Sequence, residues 1–253
     1  MDAAAVIVGA GSGLGAALGR RFARAGCPVA LLARNPDTLA PVEGSVRRAA
    51  GEADSPGRVL ALPCDATDAQ SVGEAFRAIH TALGAPGILI YNAGGFVRGK
   101  ILELDPDRFE QAWRANCLGA LLCAQQVLPE MLKSKRGTIL LTGATASLRG
   151  SAAFAGFAVG KFGLRALGQS MARELGPQGI HVAHIVIDGQ IGPPADDAKR
   201  GRAQPGQPVQ PAQAAPPALL DPDALAEQYW QLHRQDSSAW TLELDTRPAL
   251  EKF

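Results

Sequence analysis

Seven short, mostly apolar runs recur along this chain, at residues 4–8, 29–33, 59–62, 88–91, 138–142, 182–187 and 240–244. A strand wetted on one face alternates apolar and polar residues, whereas a nearly continuous apolar run is a strand covered on both faces. Stretches with apolar residues at helical spacing lie between them, at 14–25, 69–83, 107–132, 154–175 and 224–234. Strand-then-helix alternation predicts an α/β fold with about seven parallel strands and helices on both faces. Right-handed crossovers then leave a doubly wound, Rossmann-like sheet as the leading topology. The 253 residues, 47% of them hydrophobic, suffice for one sizeable core, and no repeat or second domain is visible.

Residues 192–222 break the alternation, being rich in Pro, Gln, Ala and Gly and nearly devoid of large apolar side chains. Such a segment buries too little surface to offset the entropy of ordering, so a mobile substrate loop within the one domain is expected there. Asp221-Pro222-Asp223 then offers a helix N-cap followed by an early proline.

The first strand runs straight into Gly9-Ala10-Gly11-Ser12-Gly13-Leu14-Gly15 at the start of the first helix. Glycines at such a junction permit φ > 0 and bring backbone N–H groups close to a pyrophosphate at a helix N-terminus. These seven positions, apart from Ala10, are the candidate phosphate-binding residues. At the end of the second strand an NAD site would carry an acidic residue for the ribose hydroxyls. The chain has Ala33-Arg34 there, and the Arg34 guanidinium suits a 2′-phosphate, so NADP(H) is expected over NAD(H). A merely solvated Arg34 is the plain alternative.

Composition narrows the remaining classes. With 25 Lys+Arg against 24 Asp+Glu, nothing points to nucleic acid or a membrane surface. The four cysteines form no C-x-x-C pair, so no metal is expected. The N-terminal apolar run is too short for a leader and no stretch is long enough to span a bilayer, so a cytoplasmic protein is expected.

With these features in place the chain resembles the short-chain dehydrogenase/reductase family along nearly its whole length. Gly9, Gly13 and Gly15 match the family's glycine turn, although Val8 stands where a threonine is usual. Asp65 and Ala66 match the loop that contacts the adenine, and Asn92-Ala93-Gly94 the element after the fourth strand. Residues 179–182 match the segment leading into the sixth strand, but Ile187-Asp188-Gly189 replaces the Pro-Gly usual after it. Of the catalytic tetrad that the resemblance implies, Asn116 and Lys161 are kept, while Ala144 stands for the serine and Phe157 for the tyrosine. In this the chain is similar to a divergent subgroup of the family with Phe for Tyr and an imperfect glycine motif.

The resemblance implies hydride transfer between a nicotinamide and an unknown small substrate, with Lys161 also holding the nicotinamide ribose. Phe157 has no proton to give and Ala144 no hydroxyl to orient one. Losing a general acid costs about 10²–10⁴ in rate, less than the roughly 10⁵–10⁸ M effective molarity that positioning can supply. Turnover by another proton path therefore stays open, as does a catalytically silent nucleotide-binding sensor or oligomer partner. A fold binding a flavin or a methyl donor is the third reading. The candidate substitute groups are Thr142, Thr145, Ser147, Ser151, Lys161 and Asp188, since Tyr91 and Tyr229 stand in other segments. An acceptor such as C=C or an iminium needs the tyrosine less. Phe157 with Phe154, Ala158 and Phe162 also fits plain core packing. His181 and His184 are expected to be satisfied or exposed, and Trp230 and Trp240 to pack at the sheet edge or on a neighbouring subunit. A homo-oligomer, paired through helices 107–132 and 154–175, is what the resemblance implies.

Overall fold

The computed structural model describes residues 3–193 and 219–249. Six strands alternate with helices: β1 (Ala4–Val8), α1 (Leu14–Arg24), β2 (Val29–Ala33), α2 (Pro36–Ala50), β3 (Val59–Pro63), α3 (Ala69–Leu83), β4 (Pro86–Tyr91), α4 (Pro106–Trp113), α5 (Gly119–Ser134), β5 (Gly137–Thr142), α6 (Ala155–Leu175) and β6 (Ile180–Ile187). A two-residue strand pair, β7 (Gln190–Ile191) with β8 (Leu219–Leu220), precedes α7 (Pro222–His233) and β9 (Glu243–Thr246). The main sheet has seven parallel strands in the order β3-β2-β1-β4-β5-β6-β9. This is the expected doubly wound arrangement.

Two apolar layers explain why the strands read as continuous apolar runs. On one face Phe22, Leu18, Val46 and Tyr229 pack against Ile7, Leu31 and Ile185; on the other, Phe76, Val127, Met131 and Leu164 pack against Val6, Leu89 and Ile139. Helix starts follow their capping residues. Asn35, Asp68, Asp105 and Asp221 each accept a backbone N–H at the head of α2, α3, α4 and α7. Proline occupies the first turn of α2, α4 and α7. Helix α2 was absent from the helical stretches read off the sequence; it carries Pro41 and Gly44 in its interior.

Three expectations need correction. The single helix at 107–132 is broken by a π-helical turn, Arg114–Leu118, between α4 and α5. The strand at 240–244 begins later, at Glu243. A short turn capped by Asp236 precedes it; Gln235 Oε1 accepts from Thr241 N at 2.8 Å and Trp240 stacks on His181, so side chains hold Trp240 and Thr241 before Leu242 O takes the first sheet bond, from His184 N at 2.9 Å. Trp230, by contrast, lies half-buried on α7 and meets Phe22 edge-on at the margin of the core. Most of the low-complexity stretch, 194–218, lies outside the described residues; its return is the β8–α7 junction, where Asp221 caps as expected.

Candidate active site

The sheet order reverses between β1 and β4, and the crevice at the carboxyl ends of those strands is where such sheets bind ligands. The glycine turn fills that position. Its backbone is tied to β2 by Gly9 N and Ala10 N donating to Leu32 O, and to β4 by Asn92 Nδ2 donating to Gly9 O at 2.9 Å. Gly9 has φ +89°, and a side chain there would strike Ala93 N at 2.5 Å; one at Gly15 would strike Gly9 O at 2.5 Å. Nothing lies within 4 Å of the side-chain positions of Gly11 and Gly13, so the turn is packed tightly below and open above. Helix α1 begins there with no side-chain cap and no acidic residue in its first turn; Ala16 N and Ala17 N donate back to Gly11 O and Gly13 O, and the positive end of the helix faces the turn, which suits an anion.

A cavity of about 340 Å³ continues from the turn, lined by Gly9, Gly11, Arg34, Asp65, Ala66, Asn92, Ala93 and Gly94 among others. Eight predicted residues thus meet in one place. Ser12 and Gly13 sit at its open side, while Leu14 and Gly15 are buried under it as the packing that shapes the turn. Asp65 Oδ1 takes both the backbone N–H (2.9 Å) and the hydroxyl (2.8 Å) of Thr67, which holds the loop after β3 in shape. Asn35, Thr38, Cys64 and Thr67 also line the cavity and were missed. The Asn35-Pro36 helix start next to Arg34 was the available signal for the first of them.

A second cavity, about 450 Å³, opens at the ends of β5 and β6, lined by Ala144, Thr145, Arg149, Phe154, Phe157, Lys161 and Ile191 among others. Lys161 lines this cavity, and the fully buried Asn116 packs between it and Gly94 of the first. A side chain at Gly94 would lie 2.9 Å from Asn116 Oδ1 and 3.6 Å from Lys161 Nζ. The π-turn is what aims Asn116, because its extra residue per turn re-directs one side chain out of helical register. Asn116 Nδ2 donates to Ala112 O at 2.9 Å and to Gly95 O at 2.7 Å, and Tyr91 OH donates to Ala115 O at 2.7 Å from beneath. Asn116 Oδ1 is buried and without a partner, an acceptor packed against Gly94 of the first cavity. Lys161, 5% exposed, donates from Nζ to Thr142 O at 2.8 Å, and burial lowers its pKa to about 8.

The candidate substitute groups separate clearly. Thr142 lines the cavity, but its Oγ1 is taken up by Tyr229 OH at 2.8 Å, and Ser147 Oγ accepts from Ala144 N at 3.1 Å. Both tyrosines are fully buried and line neither cavity, Tyr91 bonded to Ala115 O and Tyr229 to Thr142. Thr145 and Ser151 line the cavity, and Thr145 Oγ1 donates to Asp188 Oδ1. Phe157 is not core packing: its ring lines this cavity and meets the exposed Phe96 at 5.3 Å, while Phe162 points to solvent. His181 is satisfied only at Nε2, which pairs with Thr241 O, while its Nδ1 is buried without a partner; His184 is neither satisfied nor exposed. Both its ring nitrogens are buried without partners, and burial first, then the Lys161 and Arg165 charges against the opposing Glu243, lower its pKa to about 4.

A glycine turn at the sheet's switch point, a groove along the strand ends and a buried Lys–Asn pair beside it define an NAD(P)-type oxidoreductase fold. The comparisons agree. The family model described as short chain dehydrogenase matches residues 3–194, and the chain belongs to that family. It is 30% identical over 186 residues to a fatty acyl-CoA reductase from Acinetobacter baylyi, covering 72% of this chain but only 61% of that protein. A short-chain dehydrogenase from Rhodopseudomonas palustris superposes with a TM-score of 0.76 at 35% identity, over 97% of this chain and 98% of that one. A metagenomic short-chain oxidoreductase in complex with NADP superposes with a TM-score of 0.78 at 25% identity, over 98% of each chain. Among the described residues no helix is long and apolar enough to cross a membrane.

Proposed function

We propose that this protein is an NADP(H)-binding oxidoreductase of the short-chain dehydrogenase family whose proton path does not use the usual serine and tyrosine. The observation that carries this reading is the cradle itself: open space above Gly11 and Gly13, close packing beneath Gly9 and Gly15, and Asn116 Oδ1 unpartnered next to Lys161. A bound nicotinamide nucleotide supplies or accepts the hydride. The glycine turn and the head of α1 would hold its pyrophosphate, Asp65 and Ala66 flank the adenine side, and Lys161 with Asn116 would hold the far ribose. Arg34, exposed at the cavity wall beside Ala33, supports NADP(H) over NAD(H), because it offers donors to a 2′-phosphate at the strand end where an NAD site carries an acidic residue. The NADP found in a structural neighbour supports the same preference. The small substrate would lie against Phe154 and Phe157 in the second cavity, with Arg149 at its wall.

The silent-homologue reading rests on Ala144 and Phe157 alone. Lys161 and Asn116 weigh against it, since a sensor has no need of a buried lysine at the reacting end. We also propose a homo-oligomer, supported by the exposed Leu121 on α5 and Val159 and Phe162 on α6. The test of the main reading is NADP(H)-linked turnover of an alcohol, carbonyl and enone panel. Nucleotide bound without turnover of any member would favour the silent homologue.

A further inference from the structure

Among the hydroxyls lining the second cavity, Thr145 has a carboxylate directly behind it. Its Oγ1 donates to Asp188 Oδ1, and Asp188 is only 8% exposed. The other carboxylate oxygen lies 3.4 Å from Arg247 Nη1, and Arg247 Nη2 reaches Asp245 at 2.5 Å. Asp188 N donates to Thr246 O at 2.9 Å, so β9 fixes the backbone as well. Gly189, at φ +150° against Pro248, turns the chain so that the cavity wall continues through Ile191. The replacement of Pro-Gly by Asp188-Gly189 therefore puts a carboxylate one bond behind the cavity surface.

The polarity of that bond matters. A hydroxyl has one proton, and Thr145 has given its own to Asp188. What Thr145 offers the cavity is lone pairs, which receive a proton from a ligand O–H and give none to a carbonyl oxygen.

Resting on the oxidoreductase reading above, we propose that Thr145 and Asp188 form a proton-accepting relay for the oxidation of an alcohol with an apolar body. The alcohol C–H bond breaks and leaves as hydride, with the oxidised nicotinamide nucleotide as acceptor. The alcohol O–H proton passes to Thr145 Oγ1 while Thr145's own proton passes to Asp188 Oδ1. The remaining O–H pair closes the C=O bond, so two electrons leave with the hydride and one proton ends on the carboxylate, which releases it to water. Thr145 is the catalytic residue and Asp188 positions and unloads it. Phe154 and Phe157 supply the apolar wall for the body of the alcohol.

The test measures oxidation of cyclohexanol and benzyl alcohol with NADP⁺ by wild type, Thr145→Val, Thr145→Ser and Asp188→Asn, alongside calorimetric NADP⁺ binding. The relay predicts kcat falls of about 10²–10⁴ in Thr145→Val and Asp188→Asn, with NADP⁺ affinity unchanged and Thr145→Ser within about tenfold of wild type. A second readout needs no nucleotide: by saturation-transfer NMR, wild type and Thr145→Ser prefer benzyl alcohol over toluene and Thr145→Val does not. Thr145→Val as fast as wild type, Thr145→Ser as slow as Thr145→Val, or an unimpaired Asp188→Asn would each overturn the relay. So would a wild type that binds NADP⁺ and oxidises neither alcohol, leaving the nucleotide-binding reading intact. Wild type binding neither NADP⁺ nor NAD⁺ would overturn that underlying reading instead.

Discussion

Phe157 and Ala144 together remove two hydroxyls from a cavity that keeps its lysine, so restoring them is the direct residue-scale test. Ala144→Ser with Phe157→Tyr is expected to raise carbonyl reduction by at least about tenfold, since a positioned general acid is worth about 10²–10⁴. The new phenol would stand near a lysine whose Nζ lies 5.8 Å from the present ring centroid. A double variant that binds NADPH and gains nothing would show that the substrate side has diverged as well. At Gly15 a side chain would collide with the backbone of Gly9 and Ala10, so Gly15→Val should abolish nucleotide binding in calorimetry. These residues were legible because glycine, lysine and asparagine at fixed places in a strand–helix alternation carry their geometry with them. The Thr145–Asp188–Arg247 cluster was only half legible. Thr145 and Asp188 could be named as candidates, but 43 residues separate them in sequence and only the fold brings their side chains together.

The π-turn Arg114–Leu118 is the element that decides where Asn116 points. Tyr91 braces it from β4 through one hydrogen bond to Ala115 O, and Gly119 makes room for that hydroxyl. Tyr91→Phe removes the bond and leaves a buried carbonyl unpaired, at a cost of about 1–3 kcal/mol. Chemical denaturation should show that loss, and NADPH binding should weaken because Asn116 relaxes with the turn. Unchanged stability and affinity would mean the turn holds itself. Apolar periodicity at 107–132 did not reveal the break, because a π-turn adds one residue per turn without changing which residue types face the core. The last strand was misplaced for a different reason. Trp240 looks like a strand residue by type, yet stacking on His181 uses it before the sheet resumes at Glu243.

For the whole molecule, pH is the most general handle on stability. His184 has a folded pKa lowered from 6.5 to about 4, so the unfolded chain takes up a proton in this window that the folded chain refuses. Stability is therefore fully present above 6.5 and is lost as pH falls toward 4, at up to about 1.4 kcal/mol per pH unit. Glu243, lowered from 4.5 to about 2 by its hydrogen bond from Arg165, adds a loss of the same sign below 4.5. Urea midpoints at pH 7 and pH 5 should differ accordingly, and His184→Leu should flatten the difference; an equal slope in that variant would contradict the assignment. The proposed oligomer is checked by light scattering, with Phe162→Lys shifting the mass toward monomer. The strands from β1 to β6 were readable because the sheet is covered on both faces and these strands are mostly apolar, whereas the edge strand β9, Glu243-Leu244-Asp245-Thr246, carries no such run. Assembly was not, since exposed apolar residues such as Leu121 look the same in a sequence whether or not a partner covers them.

All of this depends on the β1–β4 crevice taking up a phosphorylated nicotinamide nucleotide, and calorimetry measures that without reference to any substrate. NADPH should bind more tightly than NADH, and Arg34→Ala should reduce the difference. Uptake of neither nucleotide by the intact chain would contradict the account.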